Sequence, residues 1–253
     1  MKKIIDFTVR DNRRLNKDMF LLTLHSEELP EMKPGQFVNV RIDNSPHTFL
    51  RRPISVHDID MNNGLLYLLV KIAGEGTEHL SQIRVNEKLN ILLPLGNGFT
   101  MPDTGKHLLI GGGVGVAPIL FLAKEMNRKG LSPIVLVGCR TKEDIVLQET
   151  FGNYCRLLHT TEDGSYGETG YPTQHSVLAE NFDGIYCCGP EAMMKAVARY
   201  ATQKNIECEV SLENMMACGL GACLCCVTET KEGNKCVCTE GSVFNIKDLT
   251  WQI

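Results

Sequence analysis

Six cysteines near the carboxyl end constrain this chain more than any other feature. The sequence holds 11 cysteines in 253 residues, and six of them fall in the 21 residues from Cys218 to Cys238. Cys218, Cys223 and Cys226 are separated by four and then two residues, which is the plant-type spacing for a [2Fe–2S] cluster. Cys238 is available as the fourth thiolate. The segment therefore predicts a small lobe organised by metal.

The residues around the cysteines leave other interpretations open. Gly219 and Gly221 would let the backbone wrap closely and direct N–H groups at sulfur, as a cluster requires. Zinc is the rival metal, but zinc frameworks pair two short knuckles, whereas a four-residue gap opens this motif. Free or disulfide-bonded cysteines are the remaining interpretation. Cys225 and Cys236 are alternative ligands that the spacing favours less.

Net charge and the distribution of apolar residues argue against several functional classes. The net charge of −4 gives no electrostatic reason to expect nucleic acid or an anionic membrane as partner. No apolar segment of signal-peptide length follows the first lysines, and glycines interrupt the longest apolar run, residues 108–123. We therefore expect a soluble, cytoplasmic chain. Clustered cysteines in that compartment favour metal or redox chemistry over disulfides.

The first hundred residues predict a β-rich domain. Six short β-rich segments are separated by turn signals such as Pro34-Gly35 and Asn62-Asn63-Gly64. Strands at this spacing predict an antiparallel sandwich or barrel over residues 1–101, interrupted by one short helix at 77–83.

From residue 106 the hydrophobic period changes, and strands alternate with helices. The predicted helices cover about residues 116–130, 142–153 and 190–205. This alternation predicts a doubly wound parallel α/β domain over residues 102–210. The cysteine-rich lobe then takes residues 211–253.

Three short motifs in the β-rich half suit a nucleotide diphosphate. They are Arg52, Pro53, Ile54 and Ser55, then Leu69, Val70 and Lys71, and then Gly76 and Thr77. Thr77 suits a helix N-cap, and a helix N-terminus beside an arginine attracts phosphate. The residues alone equally allow a strand-edge arginine and an ordinary cap.

Two glycine turns mark the α/β half. The first lies between a predicted strand and a helix and contains Gly111, Gly112, Gly113 and Gly115, while the second is formed by Cys188, Gly189 and Pro190. Such turns cradle phosphates, and the carboxyl ends of parallel strands are where ligands bind in this architecture. The glycine spacing departs from the standard Rossmann fingerprint, so a purely structural turn remains an alternative.

In this order, RPIS, GT, GGGVGVAP, CGP and the cysteine tail resemble the ferredoxin reductase-like flavoprotein family. Within it, SLENMMACGLGACLCC followed by Cys238 is similar to the cluster segment of the electron-transfer subunits of NAD-dependent (type B) dihydroorotate dehydrogenases. The resemblance covers the whole chain. Ser242 departs from it, because the family usually has proline there, and Ile54 stands where many relatives place a tyrosine.

The resemblance implies three cofactors and a place for each. FAD would be held by the barrel motifs at Arg52–Ser55, Leu69–Lys71 and Gly76-Thr77. NAD would bind at the two glycine turns, and the cluster would take Cys218, Cys223, Cys226 and Cys238. Arg140, which follows the second strand of the α/β half, is basic and would by itself favour the extra phosphate of NADP. The family implies NAD instead.

The resemblance also implies a function and a partner. Electrons would pass from the FMN of a dihydroorotate dehydrogenase catalytic subunit through the cluster and FAD to NAD⁺, in pyrimidine (UMP) biosynthesis. The assembly would be a heterotetramer of two plus two subunits. No residue of this chain is then required as acid, base or nucleophile.

Two rival functions remain. One is a related reductase subunit of the sulfite reductase, hydrogenase or ferredoxin–NADP transhydrogenase type. The last type usually has aspartate where this chain has Cys218. The other is a non-enzymatic iron–sulfur or zinc protein.

Overall fold

The computed structural model describes residues 1–43 and 45–252. Contacts divide the chain into two compact units. The first contains residues 1–98, 213–228 and 234–242, and the second contains residues 99–212, 229–233 and the chain from 243 on. The three flavin motifs and the six clustered cysteines thus lie in the first unit, and the two glycine turns lie in the second.

The first unit is built on one seven-stranded antiparallel sheet. Its strands are β1 Lys3–Arg14, β2 Met19–His25, β3 Phe37–Val40, β4 Arg52–Ser55, β5 Asp58–Asp60, β6 Leu65–Lys71 and β7 Lys88–Leu95. They follow the order β4-β3-β7-β1-β2-β6-β5 and curl into a half-barrel. Side chains along β1 alternate between the core and the surface: Ile5, Phe7 and Val9 are buried, while the residues between them are more exposed.

A short helix, α1 Glu75–Ser81, begins two residues earlier than the sequence predicted. The prediction that Thr77 is its N-cap is wrong, because Gly74 holds that position. Thr77 lies one turn inside, and its hydroxyl accepts hydrogen bonds from the N–H groups of Ala73 at 2.9 Å and Gly74 at 3.2 Å. Thr77 therefore satisfies free N–H groups at the start of α1 from within the helix.

The second unit is built on another seven-stranded sheet. Its strands are β8 His107–Gly112, β9 Ile134–Cys139, β10 Arg156–Thr161, β11 Glu168–Thr169, β12 Gly184–Cys188, β13 Glu207–Ser211 and β16 Val243–Asn245. The order is β11-β10-β9-β8-β12-β13-β16, and all neighbours are parallel except β13 and β16. This confirms the predicted parallel α/β architecture.

Helices α2 Val116–Arg128 and α4 Glu191–Lys204 accompany this sheet. The helix predicted over residues 142–153 is wrong. A single 3-10 turn covers Lys142–Asp144, and the short helix α3 covers Gln148–Gly152. Extended backbone at Ile145 and a left-handed Leu147 with φ 61° separate them, so the helical hydrogen bonds cannot run through.

The cysteine tail has little regular structure. Its elements are β14 Val227–Thr230 and β15 Gly233–Cys236, which form a two-stranded sheet, and the one-turn helix α5 Val237–Glu240. The predicted boundary that separates a lobe at residue 211 stays a prediction. Among the described residues, no helix is long and apolar enough to cross a membrane.

Candidate cofactor sites

The backbone between Cys218 and Cys226 is wound around sulfur. Gly219 at φ 70°, Gly221 at φ 82° and Leu224 at φ 57° all adopt left-handed conformations. This winding turns N–H groups inward, and the N–H of Leu220 donates to Cys218 Sγ at 3.3 Å. Such N–H groups aimed at sulfur are what an iron–sulfur cluster requires of its loop. The loop therefore fits the predicted cluster.

The thiols lie in two pairs. The Cys218 thiol contacts that of Cys223, and the Cys238 thiol contacts that of Cys226. Across the second pair, the N–H of Cys238 donates to Cys226 Sγ at 3.4 Å. In the described part of the chain, no three His, Cys, Asp or Glu side chains form a site for a single metal ion. Four cysteine thiolates are the ligand set of a [2Fe–2S] cluster.

The surroundings shift the pKa values of the Cys218 and Cys238 thiols in opposite directions. Hydrogen bonds from the N–H groups of Leu220 and then Cys223 lower the pKa of Cys218 to about 6. These hydrogen bonds favour the thiolate of Cys218, which is the form that binds metal. Burial raises the pKa of Cys238, and the neighbouring Cys226 raises it further.

Cys236 is the other candidate for the fourth ligand, since its thiol also lies beside that of Cys226. Its backbone N–H, however, donates to the Glu240 carboxylate at 2.8 Å rather than to a sulfur. Cys238 is completely buried, and the N–H of Gly221 points at its sulfur. These contacts favour Cys238.

The cluster loop packs on strands β3 and β7 of the first sheet. A Cβ atom on Gly219 would lie 3.0 Å from Asn39 Nδ2 and 3.1 Å from Leu95 Cδ1, and this tight approach together with a φ of 70° favours glycine. Asn39 is completely buried, and neither of its side-chain polar atoms has a partner among the described residues. No motif marks Asn39 in the sequence, and all four residues of β3 are buried.

The other side of the same loop is exposed and apolar. Met215 is 84% exposed, Leu220 52% and Leu224 64%. Cys223 and Cys225 are exposed beside them. We call Met215, Leu220 and Leu224 the cluster rim. Exposed apolar side chains of this kind are candidates for an interaction surface.

Two of the flavin motifs, Arg52–Ser55 and Gly76-Thr77, meet beside β4. A Cβ atom on Gly76 would lie 2.8 Å from Arg52 Nε, so the Arg52 side chain lies directly over the start of α1. Arg52 Nη1 donates to the Leu50 carbonyl at 2.8 Å, which leaves its other N–H groups available to an anion.

Burial divides the predicted flavin residues into two kinds. The side chains of Ile54, Leu69 and Val70 are buried in the barrel core, whereas Pro53 and Lys71 are exposed. The three core residues are therefore available to a flavin mainly through their backbone, and the charged contacts fall to Arg52 and Lys71.

The two glycine turns meet at the carboxyl ends of β8 and β12. These strands are adjacent, with Cys188 opposite Gly111. A Cβ on Gly115 would lie 2.3 Å from the Cys188 carbonyl oxygen, so the first turn packs on the second. Gly113, at φ 55°, has no atom within 4 Å of such a Cβ and so opens onto free space. The turns begin α2 and α4, as the sequence predicted.

Arg140 follows β9 and is exposed. The Asp163 N–H donates to the Arg140 carbonyl at 3.2 Å, so an acidic loop runs beside it.

Models of three protein families match the chain. An oxidoreductase FAD-binding domain matches residues 6–99, and an oxidoreductase NAD-binding domain matches residues 109–199. The iron–sulfur cluster binding domain of dihydroorotate dehydrogenase B matches residues 213–250. The fold and these domains define an oxidoreductase flavoprotein that uses FAD, NAD and an iron–sulfur cluster.

Curated relatives narrow the class. The chain is 36% identical over 98% of both chains to the "Dihydroorotate dehydrogenase B (NAD(+)), electron transfer subunit" of Fusobacterium nucleatum. It is 38% identical to the protein of the same name from Lysinibacillus sphaericus, over 93% of this chain and 94% of that one. The chain belongs to this family of electron transfer subunits, which confirms the predicted resemblance and electron-transfer function.

Solved structures agree with the fold. An NADH-dependent reduced ferredoxin–NADP oxidoreductase, studied for flavin-based electron bifurcation, superimposes with a TM-score of 0.89. It is 29% identical, over 97% of this chain and 90% of that one. The ferredoxin reductase of carbazole 1,9a-dioxygenase, at 22% identity and a TM-score of 0.70 over 81% of this chain and 67% of that one, shares the fold.

Proposed function

We propose that this chain carries electrons from the FMN of a dihydroorotate dehydrogenase catalytic subunit to NAD⁺. The cluster would be held by Cys218, Cys223, Cys226 and Cys238. FAD would lie along Arg52–Ser55, Leu69–Lys71 and Gly76-Thr77, and NAD at the two glycine turns. When bound, FAD exchanges a hydride with nicotinamide and single electrons with the cluster, while the protein supplies binding and electrostatics.

The exposure of the cluster rim is the main observation that supports electron delivery by a partner protein. Cys223 lies at the surface between Leu220 and Leu224, so a protein that covers these leucines would approach the cluster side of the loop. A redox partner needs this access because electrons enter from outside the chain. The names of the curated relatives, all electron transfer subunits, support the same reading.

The stoichiometry and the location of the assembly remain part of the proposal. We expect a heterotetramer of two of these chains and two catalytic subunits, in the cytoplasm. Mass measurement of the co-purified complex tests the first, because a one-to-one dimer would have half the expected mass.

A ferredoxin–NADP transhydrogenase subunit is the second candidate, because of the close structural match with a reduced ferredoxin–NADP oxidoreductase. Cys218 argues against it, since that type usually begins the motif with aspartate. The test is the choice of electron donor: co-purification with a dihydroorotate-oxidising subunit supports the first function, and specific turnover with reduced ferredoxin and NADP⁺ supports the second.

A further inference from the structure

A side chain that the sequence did not single out covers the crevice between β8 and β12. Met193, in the first turn of α4, is half-buried. Its Sδ lies 2.7 Å from the place of a Cβ on Gly112, and its Cε lies 2.6 Å from the place of a Cβ on Gly189. One thioether therefore lies against both glycine turns.

This crevice lies at the point in the sheet where the order of the strands reverses. From β8 the chain proceeds to β9 and β10 on one side, and later to β12 and β13 on the other. Ligands of open α/β sheets bind outside the carboxyl ends of the strands at such a switch point. Met193 thus lies where a dinucleotide would be expected.

The glycines of the two turns differ in whether the space beside them is occupied. Gly113 faces open space, while the room that Gly112 and Gly189 leave is taken up by Met193. A phosphate can therefore reach the first turn at Gly113, but the thioether stands in the way between the turns. Methionine is unbranched and has three rotatable side-chain bonds, so it can leave the crevice without a backbone change.

We propose that Met193 gates the dinucleotide site: it lies over the crevice in the free chain and swings aside when NAD binds. This rests on the proposed placement of NAD at the glycine turns. Covering the crevice lowers the apparent affinity by the fraction of open molecules. If about one molecule in ten is open, the Kd is about tenfold above its intrinsic value.

The test is the Kd of NAD⁺ for the chain loaded with FAD and cluster, measured by isothermal titration calorimetry. Met193→Ala should bind about tenfold more tightly, because nothing then covers the crevice. Met193→Leu, which keeps the bulk but is branched and less flexible, should bind no more tightly than wild type. Unchanged or weaker binding by Met193→Ala, with unchanged thermal unfolding, overturns the proposal.

A second measurement separates gating from a structural effect. In stopped flow, Met193→Ala should raise the association rate of NADH and leave the rate of flavin reduction at saturating NADH unchanged. A loss of the saturating rate instead would show that Met193 supports the reacting geometry, which contradicts a gate.

Gly113→Asn tests the placement itself. Asparagine tolerates the left-handed backbone at Gly113 but projects into the open space beside it, so NAD binding should be severely weakened. If Gly113→Asn weakens binding and Met193→Ala does not tighten it, only the role of Met193 is wrong. If Gly113→Asn binds NAD normally, the dinucleotide lies elsewhere and both proposals fall.

Discussion

Cys238 and Cys236 lie two residues apart, yet their surroundings differ in what they offer a metal. Cys238 is completely buried and shares hydrogen bonds with Cys226 across the second thiol pair. The backbone of Cys236 is committed to Glu240 instead. The spacing of the sequence left both residues open as fourth ligands, and the Cys226 thiol lies beside both. The choice of Cys238 therefore stays a prediction, which rests on its complete burial and on the N–H of Gly221 at its sulfur.

Serine replacement should therefore act selectively. Cys218→Ser, Cys223→Ser, Cys226→Ser and Cys238→Ser should each lose or badly destabilise the cluster, because each removes a ligand. Cys225→Ser and Cys236→Ser are the matched controls and should retain it. Iron and acid-labile sulfide measured in anaerobically purified protein decide this, and iron loss in Cys236→Ser with retention in Cys238→Ser would reverse the assignment.

Arg52 offers a separate test of the flavin site. Arg52→Ala removes a charge-assisted hydrogen bond worth roughly 1.5–3 kcal/mol, which corresponds to about 10- to 150-fold weaker FAD binding. Arg41→Ala is the control, since Arg41 pairs with Asp43 at the surface. FAD affinity is measured by flavin fluorescence on reconstitution, and an unchanged value in Arg52→Ala would place the diphosphate elsewhere.

At the scale of elements, the sequence predicts the succession of strands and helices well, but it does not predict where a helix is interrupted or which distant residues meet. Alternation located the β-rich half, and strand–turn–helix signals located both glycine turns. The helix predicted over residues 142–153 failed because Leu147 adopts a left-handed conformation that its residue type does not announce. Asn39 and Met193 went unnoticed because their roles depend on contacts with residues far away in the sequence.

The cluster rim gives a prediction at this scale. Leu220→Glu or Leu224→Glu places a charge on the apolar surface, and we expect at least about tenfold weaker binding of the catalytic partner. The cluster should remain, because neither side chain is a ligand. Val85→Glu is the control, since Val85 is also an exposed apolar residue of the first unit, at 51%.

Affinity for the partner is read by surface plasmon resonance or co-purification. Equal affinity of the rim variants and Val85→Glu would exclude the rim as the docking surface. Iron content, measured in the same preparations, shows whether the loop has stayed intact.

At the scale of the whole molecule, the cofactor residues are distributed over the two units. The cluster cysteines and the flavin motifs lie in the first unit, and the glycine turns lie in the second. The sequence predicted a separate cysteine lobe from residue 211, because local composition changes there. It contained no signal that Gly219 packs on Asn39 and Leu95, since that contact joins residues more than a hundred positions apart.

The most direct test of electron transfer is one pair of assays on wild type and Cys223→Ser. The isolated wild-type chain should oxidise NADH with ferricyanide but should not oxidise dihydroorotate. With the catalytic subunit, it should support dihydroorotate oxidation by NAD⁺. Cys223→Ser should lose this linked turnover and keep most of the ferricyanide activity, because hydride transfer to FAD does not involve the cluster. Dihydroorotate oxidation by the isolated chain, or linked turnover that survives without the cluster, would contradict the account.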